Sequence, residues 1–534
     1  MSILSKPHWL ATARFYEIYP QSFADSNGDG IGDIPGITAH LDYIADLGCN
    51  ALWINPCFDS PFKDAGYDVR DYRTVAPRYG TNDDLIALFQ AAHERGIHVL
   101  LDLVPGHTSE EHPWFRASAQ TQRNKYSDRY IWTDSWMSDA DGLPFISGEE
   151  PRNGTYVLNF FKCQPALNYG FAHPKHSWQM AADSPAAQAT RHAMVDIMRF
   201  WLSRGCDGFR VDMANSLVKG DDDGKTFTIA AWQDMLSTIK SEYPQAAFVS
   251  EWGVPEQSLR AGFDMDFYLD WSWDRNGYHL LCRDTPSPLD AEHDHSYYSA
   301  HGGGSIHGFL DQWLPQYQAT KTLGYFCLIT CNHDTARLAP RLTEDELAVA
   351  YGMILTMPGV PFLYYGDEIG MRYRPLLSKE AGYDRTGSRT PMQWNDNINH
   401  GFSTATPETL YLPTDPAQDA PTVAAQCTNN DSLYHWVRRL LRLRKNHAAL
   451  NANASFDVIA APTDGRLFAY ARTATDNSER LIIAINPGLA AETFTLNTAN
   501  TSYATPTIVL GRGDVATDDD MIVIGPQSAA IFAA

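Results

Sequence analysis

Three carboxylate side chains each follow a short apolar run of the sequence. Asp212 ends the run GFRVD, Glu251 follows AAFVS, and Asp334 lies in ITCNHD. One carboxylate that attacks and one carboxylic acid that donates a proton can cleave a glycosidic bond with retention when they lie about 5–5.5 Å apart. Acids at strand ends also cap helices. Three of them near an arginine and two histidines favour a catalytic site; these three further side chains are Arg210, His107 and His333.

A second group of oxygen-bearing side chains lies in the segment DSNGDGIGD, residues 25–33. The oxygens fall on alternate positions with Gly30 at the turn, which is the spacing of a calcium-binding loop. Gly36 stands where an EF-hand has its last Glu, so the loop is not a complete EF-hand. A solvated turn rich in Asp and Asn is the alternative. We expect a structural Ca²⁺ held by Asp25, Asn27, Asp29, the carbonyl of Ile31, and Asp33.

The elements that must position these side chains alternate along the chain. Eight apolar runs, most of them ending in polar residues, are typical of strands, and helical patterns such as 83–95 and 193–204 lie between most of them. Eight strand–helix units predict a closed (β/α)₈ TIM barrel of the α/β class. An open doubly wound sheet is the alternative, but no phosphate-binding turn follows the first strand. The runs are residues 15–19, 51–55, 99–104, 208–212, 247–251, 263–267, 326–332 and 360–364.

Two departures from this alternation predict further domains. About ninety residues separate Val104 from the helical pattern at Ala193, too many for a plain loop, which predicts an inserted subdomain after strand three. After Asn446, short strand-like segments separated by turn residues predict a C-terminal antiparallel β-sandwich. The predicted domains are barrel 1–104, subdomain 105–172, barrel 173–450 and sandwich 451–534, and the predicted sandwich strands are 456–460, 466–472, 480–486, 493–496, 507–510 and 521–524.

Composition excludes several classes of function. Lys plus Arg number 41 against 64 Asp plus Glu, for a net charge of −23, which repels nucleic acids and anionic membranes. We therefore expect a small-molecule partner, no nucleic acid and no membrane; the oligomeric state stays open. The first twenty residues lack the apolar stretch of a signal peptide, and the eight cysteines form no C-x-x-C pair. These features predict a cytoplasmic protein with reduced thiols.

Several segments, in a fixed order, carry a family resemblance. They are DLVPGH (102–107), GFRVD (208–212), SEW (250–252) and CNHD (331–334), with GYDVRDY (66–72), QPALN (164–168) and SRTPMQW (388–394). This set resembles the α-amylase family of glycoside hydrolases over nearly the whole chain, in the branch of oligo-1,6-glucosidases, α-glucosidases and trehalose synthases. The resemblance implies the barrel, the insertion after strand three and the C-terminal sandwich.

The resemblance also implies roles for the acids. Asp212 matches the nucleophile, Glu251 the general acid/base, and Asp334 the third acid, which holds sugar hydroxyls in the distorted ring. Asp212 has to be ionised for attack, and Arg210, two residues earlier on the same strand, would stabilise that charge. Around the sugar, His107 and His333 match hydrogen-bonding histidines.

Three further residues match the family's sugar pocket. Tyr67 matches the platform on which the sugar stacks. Asp68 and Arg389 match residues that close the pocket behind a non-reducing glucose in family members acting at chain ends. A plain salt bridge between Asp68 and Arg389 is the alternative explanation for this pair.

The sequence departs from the family pattern at several positions. Gly106 replaces the usual Asn before the histidine, Ala166 replaces the acid of QPDLN, and Met213 follows the nucleophile where Val or Ala is frequent. Trp252–Gly253 is not the oligo-1,6-glucosidase pattern, and DRTGSRTPMQW also resembles trehalose synthases. The linkage, the donor sugar and the balance between hydrolysis and transfer therefore stay open.

The combined expectation is a retaining, exo-acting α-glucosidase that forms a covalent glucosyl-enzyme. A transglucosidase or isomerase of the trehalose synthase type would use the same intermediate. A non-catalytic ancillary protein on the same fold is the remaining alternative. Such relatives typically lose the acids or gain a membrane anchor, neither of which is seen in this sequence.

Overall fold

The computed structural model describes residues 6–270, 276–282, 295–380, 385–496 and 506–533. Eight parallel strands form one sheet in the order β7-β6-β5-β4-β3-β2-β1-β8. A parallel bridge between Ile329 and Phe362 joins the two ends. The predicted TIM barrel is confirmed, and each predicted run overlaps one strand. The strands are β1 Phe15–Ile18, β2 Ala51–Ile54, β3 His98–Leu103, β4 Gly208–Val211, β5 Ala247–Ser250, β6 Met265–Phe267, β7 Tyr325–Cys327 and β8 Phe362–Tyr364.

Helices connect these strands and cover the outside of the barrel. Several begin at a polar cap, and Thr81 and Thr343 each form a capping box. In each box the threonine side chain accepts from the third helical N–H, and the acidic side chain at that third position accepts from the threonine backbone N–H. None of the described helices combines the length and apolar character needed to cross a membrane. The α-helices are Pro20–Phe23, Ile34–Ala39, Leu41–Leu47, Asn82–Glu94, Pro113–Ser118, Pro185–Leu202, Thr226–Glu242, Pro255–Arg260, Gly277–Cys282, His307–Thr320, Glu344–Ile354, Val423–Thr428 and Leu433–Asn446.

The barrel strands are buried on both faces, as parallel strands under a layer of helices must be. Inside the barrel the rings of Trp53, Phe267 and Phe362 pack together, with centroids 4.8–6.4 Å apart. Gly208 opens β4 at φ 146°, and a Cβ there would lie 1.9 Å from the Ala247 carbonyl oxygen. This close approach of β4 and β5 fixes the relative position of the two acids that follow these strands.

The long segment between β3 and the helix Pro185–Leu202 contains a small antiparallel sheet, Phe145–Ser147 with Thr155–Val157. It returns to the barrel through a bridge between His107 and Ala166, which places it over the ends of the strands. A second two-stranded sheet, Phe58–Asp59 with Asp71–Val75, follows β2. The predicted domain boundaries stay predictions.

The C-terminal region forms two antiparallel sheets, in the orders β9-β10-β11-β16-β13 and β12-β15-β14. An apolar core that includes Ile482, Ile522 and Phe532 lies between them. The predicted antiparallel domain is confirmed, but two strands were not predicted: β14, which is largely exposed, and β16, which is rich in Ala, a residue depleted in strands. The strands are β9 Ser455–Ala460, β10 Phe468–Thr473, β11 Arg480–Asn486, β12 Glu492–Thr495, β13 Thr507–Arg512, β14 Val515–Asp518, β15 Met521–Ile524 and β16 Ser528–Ala533.

Candidate active site

Arg210 on β4 binds three carboxylates at the carboxyl end of the barrel. Its Nη1 lies 2.9 Å from Asp102 Oδ1 and 3.0 Å from Asp212 Oδ1, and its Nη2 lies 2.8 Å from Glu251 Oε2. The guanidinium is 1% exposed, so these charges interact with little screening by water. The structure thus brings the predicted nucleophile and the predicted acid/base together on the two terminal nitrogens of one buried cation.

One arginine cannot neutralise three carboxylates. Burial, and then the neighbouring Glu251 carboxylate, raise the pKa of Asp212 well above its ordinary value, against the opposing effect of Arg210. Burial also raises the pKa of Asp102, which accepts hydrogen bonds from Trp53 and Tyr67. Both shifts favour retention of a proton within the cluster, although the role expected of Asp212, that of a nucleophile, requires its ionised form, which Arg210 favours.

Asp334 is held by three cationic side chains. Its Oδ1 accepts from Arg385 Nη1 and Arg389 Nη2, both at 2.7 Å, and its Oδ2 lies 3.1 Å from His333 Nε2. Burial alone would raise the pKa of Asp334, but His333 and the two arginines hold it well below its usual range. Asp334 is thus a permanently ionised acid in a fixed orientation.

His333 lies behind Asp334 and is fully buried. Its Nδ1 is 2.9 Å from Glu17 Oε1 on β1, and its Nε2 is 2.6 Å from the Tyr67 hydroxyl. Burial opposes its charge, but Asp334 and Glu17 raise the pKa of His333 to about 9. The described contacts make it a protonated support for Asp334 that lies outside the pocket lining, whereas the sequence analysis expected it to contact the sugar.

His107 and Tyr67 both line the pocket. Burial lowers the pKa of His107 to about 3, so its ring is neutral near pH 7. Its Nε2 lies 3.2 Å from the Tyr67 carbonyl oxygen and its Nδ1 lies 3.2 Å from the Asn159 amide nitrogen. The Tyr67 hydroxyl donates to Asp102, and its ring stacks on His333, with centroids 5.3 Å apart. These contacts fix both side chains before any ligand arrives.

Asp68 and Arg389, which the resemblance matched to residues that close the pocket, do not belong to the pocket lining. The alternative, a salt bridge between them, is also not seen, since no ion pair joins them within the described residues. Asp68 is fully buried and accepts hydrogen bonds from Ser60 Oγ and from the backbone N–H groups of Lys63 and Asp64. These donors satisfy both carboxylate oxygens, so Asp68 shapes the turn instead of facing the pocket. Arg389 binds Asp334 and the His333 carbonyl oxygen from behind.

The pair that closes the pocket is Asp64 with Arg385, and each lies four residues before the residue predicted for its role. Arg385 Nη2 binds Asp64 Oδ1, and Gln164 Nε2 donates to Asp64 Oδ2 at 2.6 Å. Burial raises the pKa of Asp64 to about 6 even though Arg385 and Arg389 oppose this. Both residues line the pocket beside Asp334 and form its inner wall.

The pocket has a volume of about 410 Å³, enough for one or two sugar rings. Its inner end carries the acids and their cations, and Phe160 and Val254, 44% and 43% exposed, lie at the outer rim. The wall between them is formed by the residues after β4 and β5. The lining residues are Asp64, Tyr67, His107, Phe160, Asp212, Met213, Asn215, Glu251, Trp252, Gly253, Val254, Asp334 and Arg385.

Met213, directly after Asp212, has a left-handed backbone at φ 41°. This conformation costs about 1–3 kcal/mol for a non-glycine residue and is found at functional sites. It aims the Met213 N–H at Glu251 Oε2, 3.0 Å away. The turn after β4 therefore helps to fix the carboxylate that follows β5.

The predicted calcium loop is built from turns stabilised by its own acids. Side-chain oxygens of Asp25, Asn27 and Asp29 each accept the N–H two residues on, at 2.9–3.1 Å. Asp33 caps the helix Ile34–Ala39 and also binds Ser26. Within the described part of the chain, no three His, Cys, Asp or Glu side chains form a metal cluster. The all-oxygen donor set nevertheless fits Ca²⁺, so the calcium site stays a prediction.

Sequence reasoning missed five residues that hold the site together. Asp102 and Glu17 interrupt otherwise apolar strands, which is the signal of a buried charge with a partner. Arg385 lies in a segment already noted, DRTGSRTPMQW, and Asp64 lies two residues before the segment GYDVRDY. Asn159 carried no signal, because its contact with His107 depends on how the inserted subdomain folds back over the barrel.

Comparison with known proteins identifies the family. The model of the alpha-amylase catalytic domain matches residues 17–453. A trehalose synthase/amylase from Mycolicibacterium smegmatis is 35% identical over 83% of this chain and 77% of its own length. An oligo-1,6-glucosidase from Parageobacillus thermoglucosidasius is 30% identical over 98% of both chains. A solved isomaltulose synthase from Erwinia rhapontici, in complex with sucrose, superposes with a TM-score of 0.80 at 25% identity over 99% of both chains. The chain is therefore an enzyme of the alpha-amylase family.

Proposed function

We propose that this protein is a retaining, exo-acting α-glucosidase that acts on short α-glucosides from the non-reducing end. The observation that carries the proposal is the inner wall of the pocket, where Arg385 joins Asp64 to Asp334 behind the acids. A sugar chain cannot continue through this buried ion pair. The donor sugar at the acids is therefore the last one of its chain, and the rest of the substrate leaves through the rim at Phe160 and Val254.

In the proposed mechanism Asp212 attacks the anomeric carbon while Glu251 protonates the leaving oxygen. Arg210 contacts both carboxylates. During the step Asp212 loses its negative charge and Glu251 gains one, so the total negative charge beside Arg210 stays constant. Asp334, ionised and oriented by His333, Arg385 and Arg389, accepts hydrogen bonds from two ring hydroxyls as the ring flattens. Glu251 then takes a proton from water, and that water releases α-glucose from Asp212.

A transglucosidase or isomerase is the second candidate, and two kinds of relative favour it. Its relatives include trehalose synthases, and its structural neighbours include an isomaltulose synthase bound to sucrose. The steps up to the glucosyl-enzyme would be the same. The outcome then depends on whether the leaving sugar stays at the rim long enough to attack the intermediate, which the residues Phe160 and Trp252 would determine.

We also propose that the loop Asp25–Asp33 holds one structural Ca²⁺. Asp25, Asn27, Asp29, the carbonyl of Ile31 and Asp33 would supply its oxygen ligands. The loop donates no group to the pocket, so the ion would stabilise the fold and take no part in the reaction. A cytoplasmic location and a small-molecule partner stay predictions from the sequence.

The test is a product analysis by proton NMR with maltose, isomaltose, sucrose and trehalose offered separately. Free glucose appearing first as the α-anomer would support the retaining hydrolase, and the fastest substrate would name the linkage. A new disaccharide with little free glucose would instead support the isomerase. β-glucose as first product would overturn the roles given to Asp212 and Glu251.

A further inference from the structure

Gly106 and Asn159 fill one small space beside His107. A Cβ at position 106 would lie 2.7 Å from Asn159 Nδ2, 3.2 Å from its Cγ and 3.3 Å from Ser216 Oγ. Real Cβ atoms do not approach other atoms as closely as 2.7 Å, so any larger residue at 106 would displace the Asn159 side chain. The glycine has an ordinary backbone conformation, so space and not φ requires it. Gly106 is also the position where the sequence departs from the family pattern.

Contacts on its far side fix the orientation of the Asn159 amide. Lys219 Nζ lies 2.7 Å from Asn159 Oδ1 and also donates to the Ser216 carbonyl oxygen at 2.8 Å. An ammonium group only donates, so the amide oxygen must face Lys219. The amide nitrogen then faces His107 and donates to Nδ1 across 3.2 Å.

That donor sets the tautomer of His107. A neutral imidazole has one N–H and one acceptor nitrogen. With Nδ1 accepting from Asn159, the proton lies on Nε2, which faces the Tyr67 carbonyl oxygen at 3.2 Å. The Nε2–H therefore donates to the Tyr67 carbonyl oxygen, which holds the His107 ring in one orientation at the pocket wall.

We propose that Asn159 is a positioning residue of the active site, which fixes the orientation and tautomer of His107, and that Gly106 is required to admit it. The inserted subdomain thereby supplies a polar side chain to the barrel site. This inference rests on the proposed function for its effect on turnover, but the state of the His107 ring can be observed without any substrate.

The kinetic arm uses three variants: Asn159→Ala, Gly106→Ala and the double variant. Loss of the hydrogen bond that orients an active-site histidine should lower kcat/KM by about 3- to 10-fold, and Gly106→Ala should approach that loss. If the two residues act through each other, the double variant stays within about 2-fold of Asn159→Ala alone. Gly511→Ala is the matched control, since a Cβ there meets only ordinary contacts at 3.8–4.0 Å. Multiplied losses in the double variant would overturn the coupling.

The spectroscopic arm uses the full-length protein labelled with ¹⁵N-histidine, with the His107 signal assigned among the 18 histidines by its loss in His107→Gln. The wild type should show His107 protonated on Nε2. Asn159→Asp replaces the donor by an acceptor of the same shape while keeping a partner for Lys219, so the His107 proton should move to Nδ1. Asn153→Asp, whose side chain only accepts from the Trp136 N–H, is the control and should change nothing.

The two arms separate the inference from the proposed function. An unchanged His107 signal in Asn159→Asp would overturn the positioning role, whatever the activity. A wild type without activity on α-glucosides would overturn the proposed function, while the tautomer shift would still support the role of Asn159.

Discussion

Two regions of this molecule bring several acids together and hold them in different ways. The loop Asp25–Asp33 has its acids on alternate positions, and these acids bind the backbone of the same loop. The active-site acids are far apart in sequence and bind cationic side chains. Arg210 and His333 are sequence neighbours of Asp212 and Asp334, but Arg210 also reaches Glu251 after β5, and Arg389 reaches Asp334 from a later segment. Asp29 is exposed and Asp25 half-buried, whereas Asp33, at the helix cap, is 3% exposed and as buried as Asp212 and Glu251 at 7% and 9%. The two regions therefore differ less in burial than in the groups that their acids bind.

The difference shows where a carboxylate becomes reactive. Local N–H groups stabilise an acid in water without changing its chemistry. Burial against a shared cation places Asp212 and Glu251 in competition for one positive charge, and it shifts the pKa of Asp212 upward. The active site therefore responds strongly to the loss of a single group, while the loop should respond chiefly in stability.

The largest expected effect comes from Asp212→Asn. Because it removes the predicted nucleophile, kcat on the best α-glucoside should fall by about 10⁴-fold or more. Binding of the sugar, measured by calorimetry, should survive because the pocket keeps its shape. Asp29→Asn makes the same chemical change in the loop and should leave kcat within about 2-fold. Retained turnover in Asp212→Asn would contradict the nucleophile assignment.

Arg385→Ala tests the inner wall of the pocket. The change removes charge-assisted hydrogen bonds to Asp64 and Asp334, each worth about 1.5–3 kcal/mol, so kcat/KM for a disaccharide should fall by at least about 10- to 100-fold. Arg372→Ala, which breaks an exposed pair with Asp419, is the control. An Arg385→Ala enzyme as active as the wild type would show that this wall does not bind the terminal sugar.

A smaller effect is expected in the pH dependence of stability. The pKa of His333 is about 9 in the folded protein and about 6.5 when unfolded, so its stabilisation is complete below pH 6.5 and is lost as the pH rises through 9. The difference in free energy of unfolding between wild type and His333→Gln should therefore narrow from pH 6 to pH 10 in urea titrations. A constant difference would indicate a neutral His333, and the exposed His192→Gln serves as control.

The smallest effect concerns calcium. If the loop binds Ca²⁺, the ion at one hundred times its Kd stabilises the fold by about 2.7 kcal/mol, and chelation by EDTA should lower Tm by a few degrees, reversibly. Asp25→Ala with Asp29→Ala should remove the response. A Tm unaffected by either EDTA or added CaCl₂ would refute the calcium proposal, and kcat at a permissive temperature should not change in any case.

The fold could be predicted to within a few residues because burial in a barrel leaves a local signal. Each of β1 to β8 is an apolar run, and each acid of the predicted triad lies just after such a run. The two strands not predicted, β14 and β16, show the limit. The first is exposed and half of the second is alanine, so neither carries the pattern, and only pairing with neighbours makes them strands.

The sequence by itself determined the residue types of the site, the barrel that carries them and the family to which the chain belongs. Tertiary structure decided which side chains meet. Asp64 and Arg385 close the pocket in place of Asp68 and Arg389, each four residues later in the sequence. The reason is that local N–H groups already satisfy the Asp68 carboxylate. His333 supports Asp334 from behind because Glu17 and Tyr67 surround it. Such choices depend on distances between elements remote in sequence, and no local pattern encodes them.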